Sequence, residues 1–386
     1  MYDEFLDNLK RQDLYRSLVP NLPANGPEIL IDGRLYISFS SNDYLGLSKH
    51  PLLVRAGQLA LEKYGAGSGA SRLLSGSLLP HQELEFEIAK FKNSASALIF
   101  GSGYLANLAL ISTLTQEGDL ILGDQLNHAS LMDGCRLSRA NFKIFKHNDM
   151  DHLIHLLKNK TNRKKAWIIT EGVFSMEGDI ARLPELVEVA NKYNAQLIID
   201  DAHGFGVMGN QGRGTAAFFG LEHEIHIQMG TLGKAAGLYG AFVSGPQSLI
   251  DYLINRAKTF IYTTSLPPVI PAMGLISIKL ISEGEELRAK LKDNQTYFSG
   301  QLLKAGFAIM NDQTPIIPIL TGDNLKTVQI SKALFDEGFY IPAIRPPTVP
   351  EGKSRLRISL SAAHTRFHLD TCVLKLTKWG KHFGIL

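Results

Sequence analysis

The sequence predicts an α/β fold, a mainly parallel sheet with helices on both faces, together with a smaller α+β domain. Three observations predict it. Short apolar runs at Ala97–Phe100, Leu120–Leu122, Ala166–Thr170, Leu197–Ile199 and Ile225–Met229 alternate with amphipathic segments. Runs of that length mark strands buried on both faces. Several of them end in loops that carry an acid, an imidazole or a lysine, and open parallel sheets hold their ligands at the carboxyl ends of strands. Beyond about residue 305 the alternation changes. A strand at 316–320, a helix at 324–337, a strand at 339–343, a Pro-rich loop at 346–350, a strand at 355–360 and a helix at 366–382 read as an α+β unit.

The elements follow in order. Residues 1–18 read as a charged helix, with Phe5, Leu6, Leu9, Leu14 and Leu18 at near-helical spacing, and Pro20, Pro23 and Pro27 break it. Glu28–Phe39 reads as a hairpin turning at Asp32-Gly33. The polar loop 40–47 offers Asn42 as a substrate contact. The loop 65–77, GAGSGASRLLSGS, is either a backbone nest for a phosphate or a plain linker. His81–Lys92 reads as a helix.

After the strand at 97–100, GSGYLANLALISTL enters a helix, and a glycine turn opening a helix is a ready anion site. Gly101 to Ala106 also spells G-x-G-x-x-A, with Asp124 about twenty residues on, like a dinucleotide fingerprint. Such a strand usually opens its domain, whereas here about 95 residues precede it, so the fingerprint is read as a decoy. His128 lies in the loop after the strand at 120–122, as a structural residue or as a ring-stacking or acid–base group. Glu171 and Ser175 again follow a strand, and 183–194 reads as a helix. YGAFVSG after Lys234 reads as a strand, 247–256 as a helix and 261–268 as extended. One long helical region then runs to about residue 305 and links two domains. Arg355 and Arg357, two apart on the last strand, share a face, as a surface pair or as a clamp for a carboxylate. The expected division is 1–45 with the small domain, 46–270 as the large domain and 271–386 as the small α+β domain.

Between Ala195 and Lys234 lie an acid pair, Asp200-Asp201, then His203, then a lysine in the tight turn GTLGK. A lysine and a carboxylate at the ends of neighbouring strands fit pyridoxal 5'-phosphate. That cofactor needs a lysine for its Schiff base and a carboxylate that keeps its pyridine nitrogen protonated. Lys234 takes the first role and Asp200 the second, with His203 within reach of the ring. A surface acid pair with an ordinary lysine is the plainer alternative.

Composition narrows the field. An apolar fraction of 45% with 20% charged residues is that of a globular enzyme, and a net charge of +3 is too slight to argue for nucleic acid. Two distant cysteines, Cys135 and Cys372, argue against a disulfide framework. No run nears the ~20 apolar residues of a spanning helix, and the first residues lack a signal core, so a cytoplasmic location and no membrane are expected. His152/His155 and His223/His226 have no metal-site context, so no metal is expected. No G-x-S-x-G occurs, against an α/β-hydrolase.

Taken together the motifs resemble the α-oxoamine synthase family of fold-type-I pyridoxal-phosphate enzymes. The resemblance runs through SNDYLGL (41–47), GSGASRLLSG (67–76), GSGYLAN (101–107), NHASL (127–131), TEGVFSMEGD (170–179), DDAHGFGVMGNQGRG (200–214), GTLGK (230–234), YTTSLPP (262–268) and IRPPTVPEGKSRLRISLSAAH (344–364). It implies a mainly parallel seven-stranded sheet and a homodimer, with YTTSLPP supplied across the interface. It implies that Lys234 carries the cofactor, Asp200 pairs with the pyridine nitrogen, and His203 and Ser175 hold the phenolic oxygen. The N–H groups of Gly103 and Tyr104, with Thr231, would bind the phosphate, and His128 would stack on the ring. Asn42 and Arg357 would hold the amino-acid carboxylate, and Thr348 and Arg16 the acyl substrate. RPPTVP and RLRISLSAAH look most like the branch that joins L-alanine to a pimeloyl thioester, on CoA or on a carrier protein.

Overall fold

The computed structural model describes residues 2–158 and 165–386. The chain divides into two units, Leu47–Phe174 with Ile180–Glu285, and Met1–Gly46 with Ser175–Asp179 and Glu286–Leu386. The first is built on a seven-stranded sheet: β1 Ser96–Phe100, β2 Leu120–Asp124, β3 Asn141–Phe145, β4 Ala166–Glu171, β5 Ala195–Asp200, β6 Ile227–Thr231 and β7 Ala241–Gly245. Their order across the sheet is β1-β7-β6-β5-β4-β2-β3. Every pair is parallel except the two made by β7, which runs antiparallel between β1 and β6. Successive side chains of a strand face opposite ways, so the apolar runs supply two cores. Ile121, Ile169 and Ile198 pack into one, and Leu120, Leu122, Ile168 and Ile199 into the other. In the pair Phe242↔Gly230 the ring of β7 lies where a Cβ on β6 would stand, so position 230 has room only for hydrogen.

Strand β3 is absent from the sequence reading. Asn141 and Lys143 interrupt its apolar character, as suits a strand at the edge of a sheet. The segment read as extended at 261–268 opens with the last residue of a short helix, Lys258–Ile261. The single long helix expected up to residue 305 is two, Val269–Glu283 and Glu285–Lys304, parted at Gly284. Val269–Glu283 packs against the helices Pro51–Tyr64 and Leu79–Phe91, so it belongs to the larger unit. The larger unit thus runs on to Glu285.

In the smaller unit the hairpin pairs Glu28–Ile31 with Arg34–Ser38. Asp32 at φ 49° and Gly33 at φ 77° take the left-handed conformations its two-residue turn requires. Phe339–Tyr340 adds to Arg34–Ser38 in parallel. Ala343–Ile344 instead joins a separate sheet with Ile316–Gly322 and Ser354–Ser359, so the strand expected at 339–343 is split between two sheets. The N-terminal helix ends at Arg11, well short of Leu18. Asp13 turns to φ 56°, its N–H donates to Lys10 O, and that of Leu14 donates back to Leu9 O. That pattern caps the helix and stops it.

Deep in this unit His364 stacks on Phe39, with ring centroids 4.4 Å apart. Its Nδ1 accepts from Ser361 N–H at 2.9 Å, and Nε2 faces Ser38 O at 3.2 Å. Burial drives its pKa down from 6.5 to about 4. A depressed histidine binds its proton in the unfolded chain first, so its contribution to stability is whole above pH 6.5 and is lost as the pH falls towards 4. The expected loss is about 3 kcal/mol. Urea midpoints measured near neutral pH and near pH 4.5 check this: wild type loses stability, and His364→Asn loses less over the same interval.

Candidate active site

Within the larger unit the sequence-predicted residues gather at the carboxyl ends of the parallel strands. The Asp124 carboxylate, at the end of β2, accepts from Leu126 N–H at 2.8 Å and Asn148 N–H at 2.9 Å and contacts His147 Nδ1 at 2.9 Å. Those bonds fix the start of the loop that delivers His128. The N–H of His128 donates to Glu171 Oε1 at 2.6 Å, at the end of β4. His128 then caps the helix Ala129–Leu137, its Nδ1 accepting from Ser130 N–H. Burial pushes its imidazole pKa down, Asp200 draws it up and Lys234 pushes it down again. The charges of the strand ends of β5 and β6 thus converge on this ring.

Asp200 ends β5 and is buried. Asn107 Nδ2 donates to its Oδ2 at 2.7 Å and Ala202 N–H to its Oδ1 at 2.9 Å. Both donors are neutral, so a cation opposite this carboxylate is favourable, and a protonated pyridine nitrogen fits. Its backbone is clamped on both sides: Gly172 N–H donates to Asp200 O and Asp201 N–H to Met229 O. The neighbouring Asp201 points into the fold, where Thr215 N–H and Oγ1 reach it at 2.9 and 2.8 Å and Lys92 Nζ lies 3.7 Å away. Burial raises its carboxyl pKa to about 6 and lowers that of Lys92. A Cβ at Gly204 or Gly214 would collide with its oxygens. The acid pair read in the sequence thus splits into one group for the site and one for the scaffold. His203 is buried three residues on.

Lys234, half-buried, stands in the turn after β6, closed by Leu232 N–H to Gly240 O and Gly237 N–H to Lys234 O. Thr231 Oγ1 donates to Gly240 O at 2.9 Å and accepts from Gly233 N–H at 3.1 Å, so it shapes that turn. At the start of the helix Gly103–Leu114, Ser102 takes the N–H groups of Leu105 and Ala106, which leaves those of Gly103 and Tyr104 at the positive end of the helix dipole. They suit a phosphate. The Tyr104 side chain turns aside to Asp133.

The smaller unit holds the remaining residues in two groups. Arg357 is buried; its Nε donates to Ser175 O at 2.6 Å, Nη1 to Ser359 Oγ at 2.7 Å and Nη2 to Asn42 Oδ1 at 3.2 Å. The Tyr44 hydroxyl also donates to Asn42 Oδ1, and burial drives its pKa up to about 12. Arg355, buried as well, meets Glu177 Oε1 at 2.8 Å. Neither is a surface arginine. They differ in partner: Arg355 has a carboxylate, while Ser175 O, Ser359 Oγ and Asn42 Oδ1 around Arg357 are neutral. The second group is Arg16, exposed, whose Nη2 donates to Pro346 O at 3.2 Å, beside the exposed Thr348.

Sequence reasoning passed over Asn107, Ser130 and Tyr44, and noted Glu171 without a role. Asn107 left a signal, since it is the one polar side chain in the apolar stretch Leu105–Ile111. Among the described residues no cluster of three or more His, Cys, Asp or Glu could hold a metal ion, and no helix is long and apolar enough to cross a membrane.

The model of the family "aminotransferase class I and II" matches residues 35–376. The chain is 44% identical over 384 residues to the 8-amino-7-oxononanoate synthase of Thermoanaerobacter pseudethanolicus, covering 99% of this chain and 97% of that one. It is 50% identical over 345 residues to the enzyme of the same name from Chromobacterium violaceum, covering 89% of each. Among solved structures, serine palmitoyltransferase from S. paucimobilis, with bound PLP and myriocin, superposes with a TM-score of 0.94 at 31% identity, covering 100% of this chain and 98% of that one.

Proposed function

We infer the function from a premise of kinship: the chain belongs to the class I and II aminotransferase family, with 8-amino-7-oxononanoate synthases as relatives over nearly its whole length. It is a fold-type-I, pyridoxal 5'-phosphate-dependent acyltransferase of the α-oxoamine synthase family. Its activity is that of an 8-amino-7-oxononanoate synthase, a step of biotin biosynthesis. The substrates of our reading are L-alanine and a pimeloyl thioester, and the products 8-amino-7-oxononanoate, carbon dioxide and the freed thiol. The observation that carries the chemistry is the convergence of Asp200, Lys234 and His128 at the carboxyl ends of β5, β6 and β2.

Bound, the cofactor supplies an electron sink for the charge left when alanine loses its α-proton. The chain's residues do the rest. The Gly103 and Tyr104 N–H groups would hold the phosphate, and Asp200 would keep the ring nitrogen protonated. Lys234 Nζ would be the cofactor's attachment point and would take the α-proton of alanine. His203 and Ser175 attend the phenolic oxygen, and Thr231 supports the phosphate side. His128 would stack on the ring and donate to the thioester oxygen as charge develops there. Asn42 and Arg357 hold the alanine carboxylate, and Arg16 and Thr348 meet the acyl donor. The reading includes a cytoplasmic homodimer; the exposed apolar side chains Leu73, Leu74, Phe86 and Tyr262 of the larger unit favour a second copy.

Arg357 gives a direct prediction. A guanidinium meets a carboxylate with two parallel hydrogen bonds, and a lysine cannot. Arg357→Lys is expected to weaken alanine binding by about 2–5 kcal/mol and to leave cofactor binding unchanged. Arg355→Lys is the control, because that residue already has Glu177. Titrating both with L-alanine and following the cofactor's visible band checks it; alanine binding like wild type in Arg357→Lys refutes the role.

The test of the whole reading is a substrate panel. Purified enzyme is offered alanine, glycine or serine with pimeloyl-, acetyl- or palmitoyl-CoA, and products are weighed by mass spectrometry. Alanine with the pimeloyl donor is expected to give product fastest. A preference for serine with palmitoyl-CoA, or for glycine with acetyl-CoA, overturns it in favour of another member of the family.

A further inference from the structure

Two buried side chains of the larger unit join His128 to Asp200. Asn107 Nδ2 donates to Asp200 Oδ2 at 2.7 Å and to Ser130 Oγ at 2.9 Å, and Ser130 Oγ lies 2.8 Å from His128 Nδ1. Asn107 and Ser130 are both almost fully buried.

The direction of every hydrogen bond in this chain follows from its ends. A carboxylate only accepts, so the amide side facing Asp200 must be nitrogen. The Asn107 Oδ1, on the other side, has no hydrogen-bond partner among the described residues, which leaves nothing to draw the amide round. The second amide hydrogen goes to Ser130 Oγ, so that oxygen is an acceptor there and its own hydrogen is free to go to His128 Nδ1. Ser130 N–H also donates to Nδ1, at 3.2 Å. Two donors converge on one ring nitrogen, and a nitrogen that accepts carries no proton.

We propose that Asn107 and Ser130 are positioning residues that lock His128 as its Nε2–H tautomer and tie its ring to the carboxylate of Asp200. His128 then offers one donor, Nε2–H, and works as a hydrogen-bond donor, not as a base. A proton on Nδ1 would displace the Ser130 N–H contact and reverse the one to Ser130 Oγ. Around the ring stand Asp200, Lys234 and Asp133, whose charges act on it, and Glu171, which holds its backbone N–H. The use of Nε2–H towards a thioester oxygen rests on the function proposed above. The tautomer itself does not, since it is read without substrate.

The experiment is a long-range proton–nitrogen NMR spectrum of holoenzyme labelled with nitrogen-15 histidine, near neutral pH, with His128 assigned by the loss of its signals in His128→Gln. The expected spectrum has an unprotonated Nδ1 and a protonated Nε2. In Ser130→Ala the two nitrogens move towards mixed tautomers while the cofactor's visible band is retained. A wild-type Nδ1–H or imidazolium signal overturns the proposal, and so does a Ser130→Ala spectrum identical to wild type. If Ser130→Ala does not fold, Asn107→Ala is read in the same way, and the wild-type spectrum alone still decides which nitrogen carries the proton. Failure of the substrate panel leaves this result standing, and the reverse holds too.

Discussion

Lys234→Ala stops turnover and leaves the cofactor bound. The two functions reside in different places. On the proposed reading anchoring is the work of the Gly103 and Tyr104 N–H groups at a helix start and of Asp200 at the end of β5, whereas Lys234 sits in the turn after β6. That turn is held by backbone bonds, Leu232 N–H to Gly240 O and Leu238 N–H to Leu232 O, which an alanine at 234 leaves in place. The side chain itself is half-buried. Loss of a positioned acid–base group alone costs about 10²–10⁴-fold, and loss of the attachment point adds to it. Product formation followed by mass, beside cofactor content after gel filtration, is the check. Turnover near wild type would refute the assignment; an apoprotein that no longer takes up cofactor would show that anchoring and chemistry are not separate.

Asp200→Asn is expected to cut the exchange of the alanine α-proton by about 10²–10³-fold, the scale for removing a fixed electrostatic partner. An amide cannot keep a pyridine nitrogen protonated. The geometry adds a second consequence. An asparagine oxygen can still accept from Ala202 N–H, but its NH₂ then faces the Asn107 NH₂, donor against donor. The cost is about 1–3 kcal/mol of stability, the price of one unsatisfied buried group. The fold survives it, with a melting temperature lower by several degrees. Proton exchange in deuterated solvent, followed by NMR with the melting curve, separates the two effects. Exchange near the wild-type rate would mean that Asp200 is not the partner of the ring.

Much of this was legible in the sequence because the physics is local. Apolar runs such as Leu197–Ile199 can be buried on both faces only inside a sheet, and the glycine-bounded turn at Lys234 is written in its own residues. What stayed hidden depends on partners far along the chain. The antiparallel direction of β7 is set by its places beside β1 and β6, 140 residues apart or more from one of them, and nothing within AFVSG says which way it runs. Arg355 and Arg357 share a face in the sequence, yet what distinguishes them is Glu177, some 180 residues away, beside one and not the other. Asp200 and Asp201 look alike until Lys92 and Thr215 are seen around the second. The helix at the N-terminus was overrun because Asp13 carries no mark of a stop; asparagine or glycine would have been the familiar sign.

The smaller unit draws its strands from both ends of the chain: Arg34–Ser38 finds its parallel neighbour only at Phe339–Tyr340. Ribosomal synthesis runs in one direction, so that edge of the hairpin emerges some 300 residues before its partner exists. The larger unit, complete by Glu285, can fold on the nascent chain in the meantime. The early hairpin must wait with an open edge, exposed to chaperones and to neighbouring nascent chains, until the last quarter of the protein leaves the tunnel.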